Sequence, residues 1–380
     1  MTSASIPAPN PDLSPVSIEQ ATQALRSVLD PETGRDLVTE GWVRKVRVEP
    51  AAGGLTDISL EVELGYPANS LLDGLRRDII AAVRALPGAG NVSATVSHKI
   101  VAHTVQRGVK LLNGVRNVIA VASGKGGVGK STTTVNLALA LAAEGATVGV
   151  LDADIYGPSI PMMLGISGRP ESEDGKTIEP MMGHGLQASS IGFLVDMDTP
   201  MVWRGPMVTQ ALEQLLRDTN WRDLDYLLVD MPPGTGDIHL TLAQKIPVTG
   251  AVIVTTPQDI ALLDARKGLR MFEKVGIPIL GIVENMAVHH CSRCGHSEHV
   301  FGSGGGERMA LETGVESLGA LPLDIRIREQ ADGGCPTVVA EPDSAIALAY
   351  RAIARKVAVR VAQRARDMTS KFPSIVVQNT

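Results

Sequence analysis

The sequence predicts an α/β protein with a mostly parallel sheet and helices on both faces, preceded by a small α+β domain. Three observations predict this. Short apolar runs at 118–122, 147–151, 226–229, 251–255 and 277–283 alternate with helical segments, the βα rhythm of a parallel sheet. A glycine-rich stretch joins the first run to the helical segment after it. Ahead of that run, residues 16–98 carry their own strand and helix patterns.

At 380 residues the chain is long for one domain, and two are expected. Hydrophobic residues at 44% with 20% charged indicate a globular protein with ample core. Aromatics are only 3%, too few for base-stacking platforms, and 35 Lys+Arg against 41 Asp+Glu give a net charge of −6. Both argue against a nucleic-acid partner. No uninterrupted apolar run reaches the roughly 18 residues of a membrane span, so no membrane partner is expected. The first residues lack the basic and apolar regions of a secretory signal. The chain has three cysteines, two of them in C-x-x-C. That fits a reducing compartment and metal or redox use, and a cytoplasmic location is expected.

In chain order, residues 1–15 are rich in Pro, Ser and Ala and are expected to be disordered. Ser17 and Gln20 form a capping box that opens a helix with Ile18, Ala21, Leu25 and Val28 on one face. Residues 30–34 (DPETG) make a turn, and 42–49 a strand. Residues 56–64 alternate strictly, with Ile58, Leu60, Val62 and Leu64 inward, as in a half-buried strand. Residues 70–86 have helical spacing through Leu72, Leu75, Ile79, Val83 and Leu86, and 91–97 return as a strand. The small domain is thus 16–98, followed by a linker at 99–116 and a second domain at 117–367. Within the latter, polar residues 165–185 read as a surface excursion. Residues 344–366 read as a helix docked through Ile346, Tyr350, Ile353 and Val357 with a solvated arginine face. Residues 368–380 read as a flexible tail.

Residues 118–143 run strand, G-x-x-x-x-G-K-[ST], helix. This is a phosphate-binding loop in the context it requires, with Gly124, Gly129, Lys130 and Ser131 on the pattern. Glycines let backbone N–H groups turn inward around phosphate oxygens, and the helix N-terminus adds donors and partial positive charge. Lys130 reaches the β/γ-phosphates and Ser131 ligates Mg²⁺. Gly124, Lys125, Gly126, Gly127, Val128, Gly129, Lys130, Ser131 and Thr132 are the expected ATP contacts. The fold class is therefore a P-loop NTPase.

Two further strands end in acids, at 152–159 (DADIYGPS) and 230–237 (DMPPGTGD). Acids at strand C-termini lie on the edge where such sheets bind ligands. Asp230, after an apolar run, fits the acid that holds Mg²⁺ through water. Asp152 reads equally as a structural anchor or a functional acid. The run 277–283 leads into Glu284-Asn285-Met286, and no N-K-x-D guanine element occurs. ATP is favoured over GTP.

Beyond that run lie Cys291 and Cys294. Two thiolates at this spacing can share one metal centre, and only Cys335 remains to help, some forty residues on. A two-fold dimer would bring a second Cys291/Cys294 pair and complete four thiolate ligands. Zinc on Cys291, Cys294, His296 and His299, or a redox dithiol, are the alternatives. Cys335 reads as a small core residue.

These residues carry resemblances. The loop GKGGVGKST, with Lys125 directly after its first glycine, resembles that of the MinD/ParA-like ATPases. The resemblance implies that Lys125 reaches across a dimer to the partner's nucleotide; an in-cis phosphate contact is the alternative. It also implies that Asp154 orients the attacking water and that Gly234 and Asp237 belong to a mobile switch. Residues 29–32 (LDPE) and 64–68 (LGYPA) resemble the small iron–sulfur assembly domain found ahead of Mrp-type ATPases. This domain has no cysteine, so thiolate ligation by it is excluded and an accessory role is expected. Segments 124–132, 152–159, Trp203-Arg204-Gly205-Pro206, 230–237, Thr255-Thr256-Pro257-Gln258, 284–286, Cys291/Cys294 and 301–307 (FGSGGGE) together resemble Mrp-type iron–sulfur cluster carrier ATPases. That family implies a homodimer holding a labile [4Fe–4S] cluster between its subunits. It also implies a cluster scaffold and apo iron–sulfur client proteins as partners, an ATP requirement, and Asn285 on adenine. Two rivals are a MinD/ParA-type positioning ATPase, with the C-terminal helix on a membrane surface, and a reductase of the nitrogenase iron-protein type. A local C-x-x-C suits neither.

Overall fold

The computed structural model describes residues 14–102, 109–195, 205–234 and 236–371. Residues 1–13, 103–108, Trp203, Arg204, Thr235 and 372–380, on which some expectations fall, lie outside the described residues, as does the side chain of Asp237. The chain divides into two compact units, Met1–Lys99 and Ile100–Thr380.

In the first unit, Ser17 caps α1 (Ile18–Ala24): its Oγ accepts from Gln20 N at 3.1 Å, and Gln20 Oε1 accepts from Ser17 N at 2.8 Å. Strands β1 (Val43–Pro50) and β2 (Thr56–Leu64) pair antiparallel, and α2 (Asn69–Arg84) crosses to β3 (Ala89–His98), parallel to β2. Ile58, Leu60, Val62 and Leu64 are buried on one face of β2, as their alternation predicts. The polar centre of this unit is Asp30, fully buried. Its carboxylate accepts from Trp42 Nε1 at 3.0 Å, Tyr66 Oη at 2.7 Å and Glu32 N at 2.9 Å. The two segments 29–32 and 64–68 therefore meet at one carboxylate.

The second unit starts with β4 (Val115–Ala122), α3 (Lys130–Ala143), β5 (Val148–Asp152), α4 (Ile160–Met163), β6 (Met181–Gly183), β7 (Leu186–Ser190), α5 (Gly205–Asp218) and β8 (Leu224–Asp230). It continues with α6 (Asp237–Lys245), β9 (Gly250–Thr255), α7 (Asp259–Lys274), β10 (Ile279–Glu284), the short strands β11 (His289–His290) and β12 (Ser297–Glu298), α8 (Gly305–Thr313) and β13 (Ser317–Ala320). Helices α9 (Ile325–Asp332), α10 (Thr337–Ala340) and α11 (Ala345–Lys371) follow. The main sheet has eight strands in the order β13-β10-β9-β4-β8-β5-β7-β6. Every pairing in it is parallel except β6 with β7.

Layering follows from strand alternation. Val118, Ala120 and Ala122 join one apolar cluster with Leu212, Leu242 and Leu269 of α5, α6 and α7. Ile119 and Val121, between them, are equally buried outside that cluster. Helices α3 and α11 pack on each other and on the sheet. A strand covered on both faces reads as a continuous apolar run, which is why β4 was legible.

Two departures have plain causes. Strands β6, β7 and β13 were not expected; Leu186–Ser190 (LQASS) and Ser317–Ala320 (SLGA) lack the β-branched and aromatic residues that mark strands, and pairing with better-marked neighbours holds them. Helix α11 runs through Lys371, past the expected start of the tail, because no glycine or proline interrupts it before Pro373. Its Ile346, Tyr350, Ile353 and Val357 are buried. Its Arg351 and Arg355 reach the fully buried Glu144 at the end of α3, at 2.9 and 3.0 Å. Glu144→Ala leaves two inward cations without that carboxylate. It is expected to lower stability by about 2–4 kcal/mol, read as a lower urea midpoint by circular dichroism, with Glu144→Gln losing less.

Candidate functional site

Parallel register sets the ends of β4, β5, β8, β9 and β10 along one edge of the sheet. Asp152 pairs with Asp230, and Asp230 with Val121 just before the glycine loop. The loop leaves β4 and enters α3 at Lys130. Two glycines are required by what surrounds them. A Cβ on Gly124 would meet the Asp264 backbone of α7 at 2.2 Å, and Gly129 has φ +79 with Asn285 Nδ2 at 2.3 Å from where its Cβ would stand.

Lys130 is buried, with Nζ 2.7 Å from Asp230 Oδ1. Asp230 also accepts from Ser131 Oγ at 2.6 Å and Thr134 Oγ1 at 2.8 Å. Above them is a cavity of about 240 Å³ whose lining includes Lys125, Gly126, Gly127, Gly129, Lys130, Ser131, Thr132 and Asp154. Val128 is buried beneath the loop, and Gly234 is joined to it through its N–H, which donates to Ser123 O at 3.2 Å. Asn285 Nδ2 donates to the Val128 carbonyl at 2.9 Å. The carboxamide that resemblance sets against adenine thus also holds the loop backbone. Ser131 Oγ and the Asp230 carboxylate form an all-oxygen donor set, which fits a hard divalent cation such as Mg²⁺.

Asp152 is an anchor. Oδ2 accepts from Ser159 N, Ile160 N and Ser190 Oγ, each at 3.1 Å, and Oδ1 from Asp154 N at 3.2 Å. Burial, then the charge of Asp230, pushes its carboxyl up to about 7. Asp154 is also raised, by burial first. Sequence reasoning missed His239. It is buried, and Nε2 donates to the Pro232 carbonyl. Burial first, and Lys130 next, hold its imidazole below the usual range. Pro232 and Pro233 have no N–H to offer, so this carbonyl is one of few ties available to the loop after β8. Its partner is a backbone atom, which no motif reports.

Cys291 and Cys294 lie outside the cavity lining, in the turn between β11 and β12. Cys291 N donates to His296 O, and Gly295 N, at φ +72, donates to Cys291 O, both at 2.9 Å. The Cys291 thiol is lowered, first by the N–H groups of Arg293 and Cys294 and then by the Cys294 thiol. Among the described residues, no group of three or more His, Cys, Asp or Glu side chains could hold a metal ion. His299 turns its Nδ1 to Ala287 O at 2.6 Å instead. The four-ligand zinc arrangement expected as an alternative is therefore not assembled within this chain's described residues. Among them, too, no helix is long and apolar enough to cross a membrane.

A glycine loop between strand and helix on a parallel sheet, with paired acids beside it, defines a P-loop NTPase. Residues 114–358 match the family described as NUBPL iron-transfer P-loop NTPase, and residues 18–96 match that of the iron–sulfur cluster assembly protein. The chain belongs to this iron-transfer P-loop NTPase family, with an assembly-protein domain ahead. It is 60% identical over 275 residues to the iron–sulfur cluster carrier protein of Pseudomonas fragi, covering 72% of this chain and 96% of the relative. To that of Escherichia coli strain K12 it is 56% identical over 308 residues, covering 80% and 84%. A solved nucleotide-binding protein from Archaeoglobus fulgidus, in complex with ADP, shares the fold with a TM-score of 0.53 and 38% identity, covering 61% of this chain and 90% of that one.

The lowered thiol gives a testable sign. In metal-free protein, Cys291 is expected to alkylate with a pH midpoint below the ordinary cysteine value of about 8.5, and Cys294→Ala to move that midpoint upward. Iodoacetamide rates against pH, resolved by mass spectrometry, measure both.

Proposed function

We propose that this chain is an ATP-dependent iron–sulfur cluster carrier that binds a labile [4Fe–4S] cluster between two copies of itself and passes it to apo-proteins. One observation carries the reading: the chain offers two adjacent thiols in an accessible turn, and no third ligand joins them among the described residues. A four-iron cluster takes four thiolates, and a two-fold pair of turns supplies them. The cluster is cargo, and a seat shared between subunits releases it when they part. The buried apolar stripe of α11 weighs against a membrane-surface helix and hence against a positioning ATPase.

ATP binds in the cavity, its phosphates against the N–H groups of 126–131 and Lys130. Ser131 and Asp230 would hold Mg²⁺, which would screen phosphate charge. Asp154 orients the attacking water. Lys125 acts across the dimer, adding positive charge where negative charge develops in the transition state. Gly234 and Asp237 belong to the switch that responds to the γ-phosphate. Asn285 takes part in binding the nucleotide. Turnover without client or cluster is slow, below the roughly 10 s⁻¹ of a typical enzyme.

Two experiments test this. Lys130→Ala is expected to abolish tight binding of labelled ATP, whereas Lys125→Ala keeps it and lowers phosphate release about 10²–10³-fold; equal loss of binding in both would remove the trans role. Anaerobic reconstitution is expected to give about four irons per dimer, lost in Cys291→Ala and Cys294→Ala and kept in Cys335→Ala. Four irons on a sedimenting monomer would sink the shared seat.

A further inference from the structure

Asn285 follows β10 on the nucleotide edge. Its N–H donates to Thr255 O at 2.7 Å, and the residue is only 7% exposed. Nδ2 donates to the carbonyl of Val128, 157 positions away in sequence, and packs against Gly129 so closely that no Cβ would fit there. The amide touches the glycine loop by a hydrogen bond and by steric contact together, so there is no slack between them.

The chain beyond Asn285 is tied at short intervals. Met286 has φ +58, a left-handed conformation that a side chain adopts only where its surroundings impose it. Ala287 N donates to Leu321 O at 2.9 Å, Val288 O accepts from Leu323 N at 2.8 Å, and His289 Nδ1 donates to Leu323 O at 3.0 Å. His289 opens β11, and Cys291 lies six positions after Asn285. On the other flank, Gly306 N donates to the buried Glu284 carboxylate. The cysteine turn therefore stands on a short stem that leaves β10 at Asn285 and is tied to Leu321 and Leu323 after β13, while the returning chain is tied to Glu284 at Gly306.

Val128 C=O and Gly129 N–H belong to one planar peptide and point in opposite directions. Gly129 lines the cavity. A phosphate oxygen accepting from Gly129 N–H polarises the same peptide whose carbonyl Asn285 holds, and each bond strengthens the other.

We infer that Asn285 is a positioning residue that couples the phosphate loop to the cysteine turn: phosphate binding tightens its bond to Val128 and stiffens the stem below Cys291 and Cys294. The consequence for cargo rests on the carrier reading above, with the cluster gripped more firmly when the loop is filled; the coupling itself does not. By linkage, a filled cluster seat raises affinity for nucleotide by the same factor.

Hydrogen exchange on the full-length protein tests it, comparing peptides that cover 286–298 with and without saturating MgATP. Inorganic tripolyphosphate serves as a second probe because it has no base. In wild type, both are expected to slow exchange across 286–298 at least about threefold. In Asn285→Ala, and in Asn285→Asp, which keeps the size but loses the donor, the slowing is expected to vanish at nucleotide concentrations shown by equilibrium binding to saturate. Unchanged exchange in β4 and α11 verifies the fold. Overturning results are a wild-type turn indifferent to both probes, or variants that respond as wild type does. Where a variant fails to fold, tripolyphosphate on wild type decides: protection of the glycine loop without protection of 286–298 overturns the coupling. A wild-type protein that takes up no iron on reconstitution removes the carrier reading and leaves the exchange result standing.

Discussion

A buried lysine held against a buried carboxylate organises the nucleotide edge. Lys130 Nζ and Asp230 Oδ1 are 2.7 Å apart, with side chains 6% and 0% exposed. Removing both charges from water is costly and is tolerated only where the remaining valences are satisfied. The hydroxyls of Ser131 and Thr134 satisfy them. Three of these four residues belong to the first turns of α3 and the fourth ends β8, so the pair fixes how that helix starts over that strand. The rest follows. Asp152, in register with Asp230, is pushed toward neutrality by its burial first and by that like charge next, while its oxygens gather the chain at 159–160. The loop after β8 is then hooked from behind by His239.

The sheet and the glycine loop were legible because local physics wrote them there. Strands buried on both faces read as apolar runs, and the loop's spacing is dictated by phosphate geometry. The strict alternation at 56–64 likewise matched β2 residue for residue. What was illegible depends on partners remote in sequence. Nothing at Asn285 announces a contact with Val128, and nothing at His239 announces the Pro232 carbonyl. Strands β7 and β13 fail for the opposite reason: small and polar residues are made strands by the neighbours they pair with. Asp152 could be read either way from sequence, and only its set of backbone donors marks it as an anchor.

The small unit shows the same logic without nucleotide chemistry. The fully buried carboxylate of Asp30 is saturated by an indole, a phenol and backbone donors. Such a network rigidifies a small core at little net cost when every member is paired. The segments that meet there come from the turn after α1 and the end of β2, so the network closes the unit on itself. Its lack of cysteine leaves the C-x-x-C turn of the larger unit as the chain's only vicinal thiol pair.

That turn has a consequence for metal identity. Cys291 is half-buried and Cys294 exposed, on a hairpin of two-residue strands. Two thiolates so displayed discriminate poorly among thiophilic ions, and copper and zinc outrank iron for such donors. In the proposed pairing, the number of thiolates joins affinity in the selection: two turns facing one another across an axis would supply the four that a four-iron cluster takes, where a lone chain supplies two. Subunit contact would then act as a check on the cargo, since the four-thiolate seat would exist only in the pair.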